Sequence, residues 1–347
     1  MRVLLTGSAG FIGAAVDRAL VAKGHEVVRV DAMLPLAHGA TTAPPGTHQV
    51  DVRDAAAWTY LLRGVDVVCH QAAIVGAGVR VADLPAYAGH NDLGTAALLA
   101  AMHEAGVTAL VLASSMVVYG EGRYTCPNHG HQVPEPRRRQ SLEAGDFENH
   151  CLVCAGALGW QAVDEASRLE PRSAYAASKV AQEHYAAVWA RQADGAAVAL
   201  RYHNVYGPAM PRDTPYAGVA AMFRSSLERG EAPQVFEDGG QVRDFVHVDD
   251  VARANLLAIE AVAGAAAGSW SAYNIASGHP IRILEVAQLV ARGTAAGNRP
   301  EVTGGFRIGD VRHVVASPAL ARTDLGFTAS VPPQDGLVTF ATDPLRV

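Results

Sequence analysis

Thr6-Gly7-Ser8-Ala9-Gly10-Phe11-Ile12-Gly13 is the stretch that decides the fold. An apolar run, Arg2 to Thr6, leads into it, and a helix-period segment, Ile12 to Lys23, leads out of it. Glycines at 7, 10 and 13 allow a tight turn and let the backbone approach a pyrophosphate. The helix that follows turns unpaired N–H groups and the positive end of its dipole toward the phosphates. Asp31 sits at the end of the next apolar run, Glu26 to Val30, where a carboxylate bonds the adenosine ribose hydroxyls and repels a 2′-phosphate. The expected ligand is therefore NAD rather than NADP. Asp51-Val52 follows a third strand and offers the adenine edge. Asp51 or Asp54 serving only as a helix N-cap is an equal alternative.

Outward from this motif the pattern repeats. Val65 to Cys69, Ala109 to Ala113 and Val198 to Arg201 read as buried strands, and Asp92 to Ala105 and Tyr175 to Ala193 as helices. The alternation predicts an α/β chain, a doubly wound parallel Rossmann sheet with helices on both faces. From Asn204 the elements shorten and Pro and Gly become frequent, which predicts a smaller C-terminal substrate-binding domain over the carboxyl ends of the strands. The expected division is an NAD-binding Rossmann domain over 1–203, with an inserted loop at about 121–171 and a returning segment at about 245–275. Residues 204–244 and 276–347 form the substrate domain.

Composition narrows the function. Half of the 347 residues are hydrophobic and the net charge is -6, with one short basic run, Arg137 to Arg139, so no nucleic-acid surface is expected. No apolar run reaches the roughly 18 residues of a membrane span. The chain starts directly on an apolar strand rather than a charged leader, which points to the cytoplasm and to reduced cysteines.

Tyr175-Ala176-Ala177-Ser178-Lys179 places a tyrosine and a lysine four apart on one helix face. A phenol becomes a base at neutral pH only if its pKa falls by about 3 units, roughly 4 kcal/mol of differential stabilisation. The Lys179 ammonium, a positive nicotinamide ring and a hydroxyl from Ser114 or Ser115 can share that load.

With these motifs assembled, the chain resembles the extended short-chain dehydrogenase/reductase family, the nucleotide-sugar epimerases and dehydratases. The resemblance runs through Thr6 to Gly13, Asn91 with Gly94-Thr95, Ser114 to Gly120, Tyr175 to Lys179, Leu200 to Pro208, Gln241 to Asp250 and Arg307 to Val311. It implies that Tyr175 is the acid/base, Lys179 the nicotinamide-ribose anchor and Ser115 the partner of the reacting hydroxyl. It also implies that Gly7, Gly10, Phe11, Ile12, Gly13, Asp31, Asp51, Val52, Ala72, Asn91, Ser114 and Tyr202 line the cofactor with Tyr175 and Lys179. Asn204, Arg243 and Arg307 would hold the nucleotide diphosphate, Asp310 its ribose, and Ser115 the sugar. His203 stands where the family usually has phenylalanine, either as a core histidine, the preferred reading, or as a new polar contact.

The family's 4,6-dehydratases carry Asp and Glu directly after the residue matching Ser115. Here Met116 and Val117 stand there, and neither transfers a proton. The resemblance therefore implies a 4-epimerase, nearest a bacterial group similar to dTDP-L-rhamnose 4-epimerases, with UDP-glucuronate and UDP-glucose 4-epimerases as alternatives. A non-catalytic NAD-binding regulator and a net-redox 4-ketoreductase are further alternatives. By analogy, the helices Asp92 to Ala105 and Tyr175 to Ala193 pair into a homodimer through Ala96, Ala97, Ala100, Ala101, Ala181, Ala186, Ala187 and Ala190.

One feature lies apart from the family pattern. Cys151-Leu-Val-Cys154 has the two-residue gap of a zinc knuckle, and Cys126-Pro-Asn-His129 has the same gap. Together they predict a closed structural Cys₃His zinc site, with His131 and His150 as alternative fourth ligands. Cys69, at a buried strand end, is expected in the core.

Overall fold

The computed structural model describes all residues of the chain except 40–41, 77, 79, 213–217, 295–297 and 347. Seven parallel strands form its main sheet: β1 (Arg2–Thr6), β2 (Glu26–Asp31), β3 (Thr47–Gln49), β4 (Val67–His70), β5 (Ala109–Ser115), β6 (Ala196–Tyr202) and β7 (Ser269–Ile275). Their order is β7-β6-β5-β4-β1-β2-β3. The strand sequence therefore reverses between β1 and β4, which opens a crevice at their carboxyl ends.

The alternation within each strand builds both faces. Val3, Leu5, Val67, Cys69 and Val111 point to one side and pack under α1 (Phe11–Ala22) and α4 (Val248–Ala263). Leu4, Val68, Leu110 and Leu112 point to the other, under α2 (Gly94–Ala105), α3 (Ala174–Gln192) and the kinked segment Val52–Leu62. Cys69 is fully buried, as expected of a core thiol.

After β6 the chain leaves this sheet. Asn204–Tyr206, Val242–His247, Pro280–Arg282 and His313–Val314 make a second, four-stranded sheet. Between Val242–His247 and Pro280–Arg282 the chain returns to the first sheet to lay down α4 and β7. The second sheet packs with the helices Val219–Glu228, Ile283–Arg292 and Pro333–Phe340 around a core of its own.

The stretch 121–171 is not the irregular loop expected. Gly130–Gln132, Arg123–Cys126 and Gly159–Gln161 form a three-stranded antiparallel sheet, and Arg139–Glu143 a single helical turn. Strands of three or four residues are too short to display a period of two, so the sequence pattern leaves them invisible.

Candidate active site

The glycine loop is shaped by close backbone approach. Gly7 has φ +65, and a Cβ on it would lie 2.8 Å from the Ala72 nitrogen. A Cβ on Gly13 would sit 1.9 Å from the Gly7 carbonyl oxygen. Gly10 caps α1 with no side chain in the way, so the first-turn N–H groups face the cleft. This is a cradle for a pyrophosphate, and any larger residue at 7 or 13 would fill it.

The cleft measures about 390 Å³ and continues from this cradle in both directions. At the adenosine end Asp31 is only 6% exposed. Burial works to raise its pKa, but His38 and the N–H groups of Met33 and Ala9 outweigh that and hold it below the usual carboxylate value. His38 Nε2 lies 3.2 Å from the Asp31 carboxylate. From the far end of the chain Arg346 donates to the carbonyls of Ala9 at 2.7 Å and Ala37 at 2.8 Å. Neither His38 nor Arg346 was expected here; a partner 308 residues away leaves no local pattern.

Asp51 is a cap that also faces the cleft. It caps the segment Val52–Leu62 through the Arg53 N–H at 2.9 Å, it is paired with the Arg53 guanidinium, and it lines the cleft with Val52. Asn91 does not line the cleft. It is fully buried, its amide bonds both the N–H and the carbonyl of Ile74, and it reaches Ser178 at 2.9 Å. It fixes the strand-end loop after β4 against α3, so it stands behind the wall rather than in it.

At the opposite end the two serines of β5 separate, because neighbours in a strand face opposite ways. Ser114 donates to Glu183 at 2.5 Å, and Glu183 holds Arg201 by two bonds, at 2.9 and 2.7 Å. Arg201 in turn reaches the Tyr119 hydroxyl at 2.8 Å. Ser114 is thereby held in a buried ionic network, and Ser115 is the hydroxyl that bonds Tyr175.

Tyr175 begins α3, whose N-cap Ser173 accepts from the Ala176 N–H. One turn later Lys179 is 3% exposed, donates to the Ala113 carbonyl at 2.8 Å and lies 5.9 Å from the Tyr175 ring centre. Burial pushes the Tyr175 phenol above its ordinary value, with the Ser115 hydrogen bond opposing. Burial also pulls Lys179 down to about 7, against Glu183 and Asp92. Burial thus favours the neutral form of both groups, while an ammonium at Lys179 favours the phenolate at Tyr175. Tyr202 closes the wall between them, its hydroxyl donating to Gln71 at 3.1 Å and bonded to Asn255.

Beyond Tyr175 the cleft passes into the second lobe. His203 is 2% exposed and lines the cleft. It is thus buried like a core residue yet faces the ligand space, which neither expected reading described alone. Asn204 lines the same region and donates to the Asp244 carbonyl at 2.9 Å. Arg243 stands behind this region and donates to the carbonyls of Arg312 at 2.8 Å and Val311 at 2.6 Å. Arg307 is exposed and stacks on Phe236 at 5.1 Å, with Asp310 exposed beside it. Of the expected diphosphate residues, Asn204 thus lines the cleft, whereas Arg243 and Arg307 gather around the segment 307–312, off the cleft wall.

The expected thiols also come together. The ligand atoms of Cys126, His129, Cys151 and Cys154 lie within 4.8 Å of one another. His131 bonds the Tyr124 carbonyl and His150 bonds Asp146, so of the three histidines His129 is the one at the cluster.

Comparison with known proteins agrees with this arrangement. The model of the NAD dependent epimerase/dehydratase family matches residues 3–141 and 155–276. A dTDP-L-rhamnose 4-epimerase of Burkholderia thailandensis is 34% identical over 340 residues, covering 94% of this chain and 90% of that protein. Among solved structures, the UDP-glucose 4-epimerase of Thermus thermophilus in complex with NAD superposes with a TM-score of 0.75 at 32% identity, covering 98% of both chains. MoeE5 in complex with UDP-glucuronic acid and NAD gives 0.76 at 30% identity, over 98% of this chain and 97% of that one. A glycine cradle, an acidic ribose end and a Ser-Tyr-Lys constellation on one cleft, matched along most of the chain, mean that this protein belongs to the NAD dependent epimerase/dehydratase family.

Proposed function

We propose that the chain is an NAD-dependent epimerase that inverts C4 of a nucleotide-linked hexose through a transient 4-keto sugar. The substrate is a dTDP-6-deoxyhexose such as dTDP-L-rhamnose. The observation that carries the reaction type is the distribution of acids. Among the described residues lining the cleft, the carboxylates are Asp31 and Asp51, both at the adenosine end. Next to Ser115 stand Met116 and Val117, and the Met116 sulfur packs on the Asn204 amide at 3.6 Å. Loss of water across C5 and C6 needs a second acid/base there. The relative named dTDP-L-rhamnose 4-epimerase supports the sugar, and the neighbours with UDP-sugars keep UDP-glucose and UDP-glucuronate as the second reading.

Gly7, Gly10 and Gly13 would hold the pyrophosphate of NAD, Asp31 its adenosine ribose and Lys179 its nicotinamide ribose. Bound there, NAD would supply the hydride acceptor and donor that the reaction needs. Tyr175 takes the proton of the 4-hydroxyl and gives it back, Ser115 orients that hydroxyl, and the Lys179 ammonium lowers the cost of the phenolate. In this reading 1–203 with 245–275 holds the cofactor, and 204–244 with 276–347, through Asn204, Arg243, Arg307 and Asp310, holds the nucleotide-sugar.

A cytoplasmic homodimer completes the proposal, with a structural zinc ion in the insert. No helix among the described residues is long and apolar enough to cross a membrane. Ala101, Ala186, Ala187 and Ala190 are buried within the chain. The face left for a partner is Leu93, Ala100, Tyr185 and Val188 rather than the alanines alone.

The test is incubation with a panel of dTDP- and UDP-sugars, with C4 configuration followed by NMR. Inversion without added cofactor and without net NADH is expected. A 4-keto-6-deoxy product, stoichiometric consumption of NAD(P)H, or no turnover of any sugar would each overturn the reading.

A further inference from the structure

We infer that Cys126, His129, Cys151 and Cys154 form a closed zinc centre, and that this centre sets the position of the substrate-side arginines through Asn149 and Glu148. The second clause rests on the reading of Arg243 given above; the first does not.

The distances decide the first clause. Bonds of about 2.3 Å to sulfur and about 2.05 Å to nitrogen in a tetrahedron put two sulfurs about 3.8 Å apart, and a sulfur and a nitrogen about 3.6 Å apart. The structure has Cys126 Sγ 3.7 Å from Cys154 Sγ, and His129 Nδ1 3.5 Å from both Cys126 Sγ and Cys151 Sγ. A disulfide would need about 2.05 Å, and all four cysteines of the chain are free thiols.

Both halves of the site are turns built to present ligands. Cys126 ends one strand of the insert's hairpin and pairs with Gly130, whose φ of 68 lets the chain reverse and bring His129 back. In the other half Cys151 N donates to the Gly156 carbonyl at 2.8 Å, and Ala155 takes φ 56 to close the knuckle. Burial of apolar side chains at the knuckle itself contributes little to holding these turns. Leu152 is 62% and Val153 69% exposed, and the insert's own buried cluster is Tyr124, Cys126, Cys151 and Leu158. Half of that cluster is cysteine, so a metal replaces a core that the segment is too small to build. With three thiolates and one imidazole the centre has no open position and its role is structural. Cys151 and Cys154 lie between the two stretches matched by the family model, 3–141 and 155–276, so the second half of the site falls outside the general family pattern.

From Cys151 the path to the substrate side is short. Asn149, two residues earlier and 3% exposed, donates to Glu121 at 2.8 Å, and Glu121 accepts from the Arg312 N–H at 2.7 Å. Glu148 grips the Arg312 guanidinium and His313 at 3.1 Å. Arg312 is 1% exposed, and its carbonyl is one of those that hold Arg243. Releasing the knuckle loosens Asn149 and Glu148, two of the groups that fix Arg312, so the Arg312 guanidinium, in the segment that seats Arg243, is left held by Glu237 and Asp238 alone.

Metal analysis of the untagged protein, purified without chelators, tests the centre directly. One zinc per chain is expected, and less than a third of an equivalent would overturn it. The cobalt-substituted protein should show thiolate charge-transfer bands, and their absence would have the same force. Cys154→Ser, at the exposed end of the knuckle, should lose most of the metal, raise KM for the nucleotide-sugar several-fold and leave bound NAD unchanged. Zinc lost with KM unmoved would remove the coupling and leave the centre standing. A full zinc complement in a protein that turns over no sugar would sink the function while sparing the metal.

Discussion

Replacing Lys179 with methionine removes its charge, and with it the bond to the Ala113 carbonyl, while the straight apolar chain fills the same buried channel. Lys179 Nζ stands 5.9 Å from the Tyr175 ring centre. At an effective dielectric of 20, two unit charges at that distance attract by about 2.8 kcal/mol. Divided by 1.36 kcal/mol per unit, this is about two units of tyrosine pKa. The sign follows from which form works. The phenolate is the base, and the ammonium stabilises it, so removal raises the apparent pKa of Tyr175. The acid limb of the kcat profile should therefore move up by about two pH units in Lys179→Met. Well below both limbs the rate falls about 100-fold, and far above both it returns toward the wild-type value. A single-turnover assay of bound-NAD reduction from pH 5.5 to 10 reads this, with NAD content measured alongside because Lys179 also anchors the ribose in the proposed scheme. A rate lowered equally at every pH, with the limb in place, would show that Lys179 acts only as an anchor and would refute the electrostatic reasoning.

Three further outcomes are expected. Tyr175→Phe should lower kcat by roughly 10²- to 10⁴-fold, with NAD still bound; retention of most of the wild-type rate would remove the assignment. The purified protein should hold NAD in at least about tenfold preference to NADP, since in the proposed scheme the Asp31 carboxylate at the end of β2 repels a 2′-phosphate, and equal occupancy in extracted cofactor would contradict this. Glu183→Ala leaves Arg201, 4% exposed, without its two-bond partner, and should destabilise the fold by about 3–5 kcal/mol in urea unfolding. A shift below about 1 kcal/mol would show that the Ser114–Glu183–Arg201 network is not holding the wall of the cleft.

Much of the cofactor end was legible because its requirements are local. A glycine that must clear Ala72 or the Gly7 carbonyl, and an acid at the end of β2, leave a mark within a few residues of chain. The Tyr175–Lys179 pair is readable for the same reason, as one helical turn. The choice of Ser115 over Ser114 came only from the family resemblance, because the residues alone do not tell which way β5 faces in the finished sheet. The clamp of Arg312 by Glu148, Glu237 and Asp238 joins residues 164, 75 and 74 positions apart, and such pairs have no period to detect. Arg346 at the adenosine end is the extreme case. The cysteine gaps were legible as a zinc pattern, but the fourth ligand needed the hairpin, which turns His129 inward and His131 toward the Tyr124 carbonyl.

The chain's double passage between its two sheets has a consequence for anyone who would recombine it. α4 and β7 are threaded between the second sheet's Val242–His247 and Pro280–Arg282, so no single cut yields two self-sufficient halves. A graft of a relative's sugar-recognising lobe must exchange two separate segments together while leaving the intervening helix and strand in place. One-crossover chimeras near residue 204 would bring a foreign α4 and β7 against the resident β6 and α1, at the centre of the larger core. Altered sugar preference in such a scaffold is reached more safely by point changes at the cleft than by swapping the lobe.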